Sequence, residues 1–273
     1  MKPADARVVL TGATGGIGRA AAEALARVGA GVMLVGRSPA RLSAQAGVLA
    51  RRHPGVDIAC HAADLDRPGD IEALSEAAQR FRANVLVLGA GVPSFGRFQS
   101  ISPHDMQQAL HTNLLAPMLL THALLPWLAS LSRAQVICVG SALGRIGLPG
   151  FSVYSATKFG LRGFAEALRR ELCEGPVRVQ YLGPRSTRTS FNDANVEAYN
   201  AATGTAMDTP ETVAAALLRL LEDETAECFV GFPERLAVRL NGLAPALLDG
   251  AFARHRRSLP APSTPLTEPK PET

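Results

Sequence analysis

The feature that most constrains this chain is a regular exchange of two kinds of segment along its first 230 residues. Short β-rich apolar runs alternate with longer Ala- and Leu-rich stretches of helical periodicity, the pattern of βαβ units on a parallel sheet. Strands are predicted at 8–11, 31–36, 57–62, 85–88, 135–139, 177–182 and 227–230. Helices are predicted at 17–28, 66–81, 154–172 and 210–222, with a long or broken helix inside 103–131. Ser38 before Pro39 and Thr209 before Pro210 are helix starts, because a hydroxyl caps a first-turn N–H and proline suits the first helical position. The expectation is an α/β fold, a doubly wound parallel sheet of about seven strands with helices on both faces.

Composition agrees with a buried core: 47% of the 273 residues are apolar. Lys+Arg number 28 against Asp+Glu 24, with no dense basic block, so nucleic acid is not an expected partner. The four cysteines, at 60, 138, 173 and 228, form no CxxC and read as small buried hydrophobes in a reducing compartment. The first residues lack the apolar run of a secretory signal, and the expected location is cytoplasmic. The stretch 106–132 carries no Asp, Glu, Lys or Arg and is expected to lie in the core or a subunit interface. One domain is predicted over 1–258, with a helical extension at 234–258 and a Pro-rich tail at 259–273 that cannot pack a core. In the extension, Leu236, Leu240, Leu243 and Leu247 form a stripe interrupted by Pro245, beside Arg235, Arg239 and Arg254–Arg257. Packing on the domain is the first reading of that stripe; a weak membrane-surface contact through 234–257 is the second.

The first strand runs into Thr11-Gly12-Ala13-Thr14-Gly15-Gly16-Ile17-Gly18. Glycines here let the backbone turn tightly and let a pyrophosphate approach free N–H groups at a helix N-terminus. The turn, between a first strand and an Ala-rich helix, makes the fold Rossmann-like and points to a dinucleotide. The second strand ends in Gly36-Arg37, with no acid to bind a ribose 2′-hydroxyl. The Arg37 guanidinium suits a 2′-phosphate, which favours NADP(H) over NAD(H); a solvated arginine before a capped helix is the other reading. The six histidines show no metal-ligand spacing, and no metal site is expected.

Tyr154-Ser155-Ala156-Thr157-Lys158 is the sharpest single clue. With three tyrosines and three lysines in the chain, chance yields such a pair about 3% of the time. Residues i and i+4 share a helix face, so a phenol and an ammonium can act on one spot. A nearby cation favours the phenolate and makes the phenol a usable acid–base group near neutral pH. Ser141, 13 residues earlier and just past a strand, would bring its hydroxyl to the same crevice.

On these motifs the chain resembles the short-chain dehydrogenase/reductase family, single-domain branch, over roughly residues 6–232. The family's glycine motif matches at Gly12, Gly16 and Gly18, and its Asn–Ser–Tyr–Lys set at Asn113, Ser141, Tyr154 and Lys158. The resemblance implies that Tyr154 exchanges a proton with the substrate oxygen and Ser141 hydrogen-bonds that oxygen. It implies that Lys158 tunes Tyr154 and holds the nicotinamide ribose, while Asn113 positions a water. Cofactor contacts are implied for Gly12, Thr14, Gly15, Gly16, Ile17, Gly18, Arg37, Asp64, Leu65, Ala90, Gly91, Tyr154, Lys158, Pro184, Thr187 and Thr189. Two departures stand out: Leu88 and Gly89 replace asparagines before Ala90-Gly91, and Arg185 follows Pro184 where glycine is usual. The implied activity is NADP(H)-dependent interconversion of a carbonyl compound and a secondary alcohol, with an apolar or aromatic substrate and residues 189–208 as a mobile lid. The implied assembly is a homodimer or homotetramer. A non-catalytic NAD(P)-sensing protein is the alternative, which would be expected to lose Tyr154 or Lys158. A nucleotide-sugar epimerase or dehydratase would bring a longer C-terminal domain.

Overall fold

The computed structural model of the chain describes residues 1–231, 241–242 and 245–260. Seven strands form one sheet: β1 Arg7–Thr11, β2 Gly31–Gly36, β3 Ile58–Ala62, β4 Val85–Leu88, β5 Ala134–Val139, β6 Val177–Gly183 and β7 Glu227–Phe229. Their order is β3-β2-β1-β4-β5-β6-β7, with every neighbouring pair parallel. Parallel strands need helical crossovers, so the sheet is covered on both faces and its inner strands read as unbroken apolar runs. Helices α1 Gly16–Arg27, α2 Pro39–Arg52 and α8 Pro210–Asp223 cover one face. Helices α3 Pro68–Arg80, α5 Ala116–Ala129 and α6 Ser152–Glu171 cover the other. The Rossmann-like expectation holds, and both caps act as read: Ser38 Oγ accepts from Arg41 N, and Thr209 Oγ1 from Thr212 N at 3.3 Å.

The region expected to hold a broken helix contains α4 Pro103–Leu110, one π-helical turn at His111–Leu115, and α5. The wider turn brings Asn113 wholly inside. Burial of this stretch is one-sided: Leu120, Leu124 and Leu128 lie in the core, whereas Leu110, Leu115, Met118 and Leu119 are exposed. The run Pro103–Ala129 is apolar and long enough to cross a membrane by composition, with 39% of its most apolar window buried within the protein. The cysteine reading needs correcting. Cys138 is buried, but Cys60 and Cys173 are exposed.

The segment read as a lid contains a helix, α7 Ala194–Thr203, started by Asp193 and ended by Gly204 at φ +70°. The C-terminal helix α9 Ala253–Arg257 docks on it. Arg254 Nε donates to Ala202 O at 2.7 Å, and Tyr199 OH meets His255 Nδ1 at 2.7 Å. Leu236, Leu240 and Leu243 of the predicted stripe lie outside the described residues.

At the end of the sheet remote from the crevice, Glu224 gathers three donors: Arg133 Nε at 2.7 Å, Gln135 Nε2 at 2.9 Å and the Met1 ammonium at 3.0 Å. Burial alone would raise its pKa, but these partners outweigh burial and hold the carboxyl at about 2. A carboxyl depressed in the folded state contributes stability that is complete above its unfolded value and lost as pH falls. Glu224→Gln should therefore cost on the order of 1–3 kcal/mol at pH 7. By urea denaturation the gap from wild type should close between pH 4.5 and about 2. A gap independent of pH would assign Glu224 to packing alone.

Candidate active site

The order of the sheet reverses between β1 and β4, and the connections leaving these two strands diverge to open a crevice at their carboxyl ends. Thr11 Oγ1 ties the two ends together, accepting from Gly89 N at 2.9 Å and Ala90 N at 3.1 Å and donating to Val87 O. Gly12 sits at φ +69°, and a Cβ there would come within 2.6 Å of Gly89 O. A Cβ on Gly18 would fall on the Gly12 carbonyl. The turn is thus possible only with glycine at these positions. Helix α1 begins with Gly15 as its N-cap, which has no side chain to occupy the first-turn N–H groups. Those donors and the helix dipole fit a phosphate.

The remaining cofactor candidates fall along the same edge. Arg37 is exposed at the end of β2, with no ion-pair partner among the described residues. The Thr14 carbonyl accepts from Arg19 Nε at 3.1 Å and Arg41 Nη2 at 3.0 Å, which braces the glycine turn from the Arg37 side. Asp64 is partly exposed past β3, and its Oδ1 accepts from Asp66 N at 3.3 Å. Leu65 is buried in the core beside it. Ala90 and Gly91 follow β4; a Cβ on Gly91 would stand 3.1 Å from Asn113 Oδ1 and 3.9 Å from Lys158 Nζ. On the opposite side, Thr189 rests on Gly16, so closely that any side chain at 16 would strike it. Pro184 is buried, and Thr187, also buried, donates its hydroxyl to Arg185 O at 3.0 Å. These residues fit a dinucleotide laid across the sheet edge, although Thr187 spends its hydroxyl on its own loop.

The four residues of the predicted acid–base set converge. Lys158 projects from α6 into the protein, 4% exposed, with Nζ donating to Val139 O at 3.2 Å. Its nitrogen stands 5.6 Å from the Tyr154 ring centroid. Burial pushes the Lys158 pKa down to about 8. Burial likewise pushes the Tyr154 phenol up to about 12, against a hydrogen bond from the Ser141 hydroxyl that lowers it. Ser141 follows β5, and its Oγ also accepts from Leu143 N at 3.0 Å. Asn113 uses its carboxamide fully: Oδ1 accepts from Val92 N at 2.8 Å, and Nδ2 donates to Val92 O at 3.0 Å and Thr157 Oγ1 at 3.3 Å. It thereby locks the loop after β4 onto α6.

Two further groups were not foreseen from the sequence. Beside Tyr154 stands a cluster of aromatic rings, with Phe191 at 6.0 Å and Phe151 at 6.4 Å between ring centroids. Phe95 packs on Phe151 at 4.8 Å, and Tyr199 on both. Arg185, the residue that departs from the family motif, pairs with the buried Asp208 at 2.8 Å. It is therefore not a ready anchor for an anionic substrate. Arg188 is exposed.

Comparison with known proteins identifies the family. A family model described as short chain dehydrogenase matches residues 6–200. Dehydrogenase/reductase SDR family member 7B of Bos taurus is 33% identical across 93% of this chain and 82% of its own. A human 3-oxoacyl-[acyl-carrier-protein] reductase is 34% identical across 66% of this chain and 75% of its own. Among solved structures, a short-chain dehydrogenase from Sphingobium yanoikuyae in complex with NADPH superposes with a TM-score of 0.77 at 27% identity, covering 94% of this chain and 98% of its own. An alcohol dehydrogenase from Thermococcus sibiricus complexed with 5-hydroxy-NADP gives 0.73 at 26% identity, covering 82% and 95%. The fold is that of the oxidoreductases this chain resembles. The chain belongs to the short-chain dehydrogenase/reductase family.

Keeping Lys158 charged inside the protein opposes folding. Its folded pKa lies below the ordinary value, so the unfolded chain binds the proton more tightly, and this penalty fades as pH rises from about 8 toward 10.5. Lys158→Met should raise the stability of the cofactor-free protein at pH 7 by ~1–3 kcal/mol. Thermal melts at pH 7 and pH 10 should show that gain shrinking at the higher pH. A variant less stable than wild type at both would mean that the bond to Val139 outweighs the buried charge.

Proposed function

We propose that the protein is an NADP(H)-dependent oxidoreductase that interconverts an apolar or aromatic carbonyl compound and its secondary alcohol. The observation that carries this reading is the meeting of the Tyr154 phenol, the Ser141 hydroxyl and the Lys158 ammonium beside a cluster of aromatic rings. When bound, the nicotinamide supplies or accepts the hydride. For reduction, Tyr154 must be protonated, and its raised pKa keeps the proton in place at neutral pH. Tyr154 gives that proton to the substrate oxygen while the Ser141 hydroxyl hydrogen-bonds the same oxygen. The phenolate left behind is stabilised by Lys158 across the ring face. Lys158 uses one N–H on Val139 among the described residues, which leaves donors for ribose hydroxyls. Asn113 holds the loop after β4 in register with α6, beside Lys158.

Arg37 and the lack of an acid at the end of β2 support NADP(H), as do the NADP-type ligands of the solved relatives. The aromatic cluster and the engagement of Arg185 support an uncharged substrate. A sensing role is less well supported, because the proton-transfer set is complete and assembled. Members of this family generally form oligomers, and the exposed Leu110, Leu115, Met118, Leu119 and Phe159 give a second copy of the chain an apolar surface.

The decisive experiment is a panel of ketones, aldehydes and alcohols with NADPH and NADH, followed at the nicotinamide absorbance. Bulky apolar or aryl ketones should be turned over with NADPH. Tyr154→Phe should reduce that turnover by at least ~10³-fold while leaving NADPH binding near wild type; activity within tenfold of wild type would remove Tyr154 from the reaction.

Arg37→Asp should weaken NADPH by tenfold or more, the worth of one charged hydrogen bond at ~1.5–3 kcal/mol, and spare NADH. Titration of bound-cofactor fluorescence measures both affinities. An unchanged NADPH affinity would make Arg37 a surface residue.

A further inference from the structure

We propose that Tyr181, a residue of β6 that makes no contact with substrate, is a positioning residue that sets the Ser141 hydroxyl by clamping the Ser141 peptide from behind. The inference rests on the reading of Ser141 and Tyr154 given above. The Tyr181 side chain is 1% exposed, and its phenol oxygen takes both main-chain groups of one residue. It accepts from Ser141 N at 3.0 Å and donates to Ser141 O at 2.9 Å.

The need for such a clamp follows from the topology. Beyond Val139 the ladder between β5 and β6 continues for two more bonds, Gly140 N to Leu182 O at 2.8 Å and Ala142 N to Pro184 O at 2.7 Å. Ser141 lies between these two, and its own N–H falls on the side where β4 has already ended at Leu88. A buried N–H without a partner there would be costly and free to swing. The Tyr181 hydroxyl occupies that position. Ser141 is held extended, at φ −164° and ψ 161°, with its Oγ turned to the Tyr154 phenol.

The surroundings are shaped for this phenol. A Cβ on Gly140 would fall on the Tyr181 ring, and a Cβ on Gly144 would fall on its oxygen. Two glycines thus flank the hydroxyl in a loop where a tight turn alone would not demand both. Phe229 supports the other side of the ring, at 5.8 Å between centroids. Burial holds the phenol pKa above its ordinary value, so the hydroxyl can donate and accept across the working pH range. A phenylalanine would fill the same space without holding the Ser141 peptide.

The test is Tyr181→Phe in the full chain, which removes one oxygen and keeps the ring. Amide exchange across 140–144 should rise at Ser141 by at least ~10-fold, as a lost hydrogen bond implies. NADPH affinity should stay within about threefold. With a substrate from the panel, kcat should fall ~10–100-fold with KM little changed, because a small misplacement costs that much. The acid limb of the oxidation profile should move to higher pH, since the base is the Tyr154 phenolate and Tyr154 loses the hydrogen bond that lowers its pKa. In a Ser141→Ala background, Tyr181→Phe should change kcat by less than about twofold. Gly140→Ala, whose methyl displaces the phenol, should reproduce the exchange and kcat effects and carries the test if Tyr181→Phe does not fold. Unchanged exchange at Ser141, or a kcat loss equally large in the Ser141→Ala background, would overturn the clamp. Ser141→Ala retaining wild-type turnover would instead overturn the reading of the site, with exchange still deciding whether the clamp exists.

Discussion

Everything chemical in this protein hangs from the carboxyl ends of β4, β5 and β6, and those ends are held by hydrogen bonds that outlast the strands. Thr11 ties the glycine turn to the chain leaving β4. Val139 O, the last acceptor of β5, receives Lys158. The two ladder bonds beyond Val139 carry the sheet's geometry into the Ser141 loop. Because a parallel sheet is rigid and buried on both faces, side chains attached to its continuation inherit that rigidity. Asn113 performs the same service from the helical layer, with all three of its bonds directed at the loop after β4 and at α6. Three segments distant in sequence thereby meet.

Much of this was legible in the sequence, for reasons of periodicity. Strands buried on both faces must be apolar throughout, and their crossover helices must be amphipathic, so the alternation gave strand edges within a residue or two. Ser38 and Thr209 marked their helices because capping is local chemistry. Tyr154 and Lys158 could be paired because a helix brings i and i+4 together. Ser141 could be placed because a polar residue just past an apolar strand arrives at the crevice.

What escaped has one cause: it depends on contacts between segments that no local pattern connects. Phe95, Phe151, Phe191 and Tyr199 come from four separate loops and helices and share no spacing, yet they gather in one cluster beside Tyr154. Tyr181 sits within an apolar strand and reads as an ordinary β-former; only the facing glycines at 140 and 144 reveal its hydroxyl's purpose. Helix α7 has a weakly amphipathic sequence, and its cap at Asp193 was the available sign. The exposed cysteines at 60 and 173 show the limit of composition, which ranks a residue type and cannot place an individual.

Arg185 shows how a departure from a family motif can be absorbed. The position favours glycine in the family, and a long cation placed there could disturb the backbone or expose a charge to the substrate. Here the guanidinium turns away and pairs with Asp208, itself 9% exposed. The Asp208 main chain in turn bonds Ser186 O and Arg188 N, forming a short parallel bridge with Thr187. The side chain also lies over Gly231, where φ is +96° and a Cβ would stand 2.8 Å from Arg185 Cδ. The C-terminal end of the segment 189–208 is thus stapled to the end of β6 by an ion pair of low exposure. Breaking such a pair from one side strands the other charge. Helix α7, with Tyr199 in the aromatic cluster and α9 on its outer side, carries the chain from Thr189 to that anchored end.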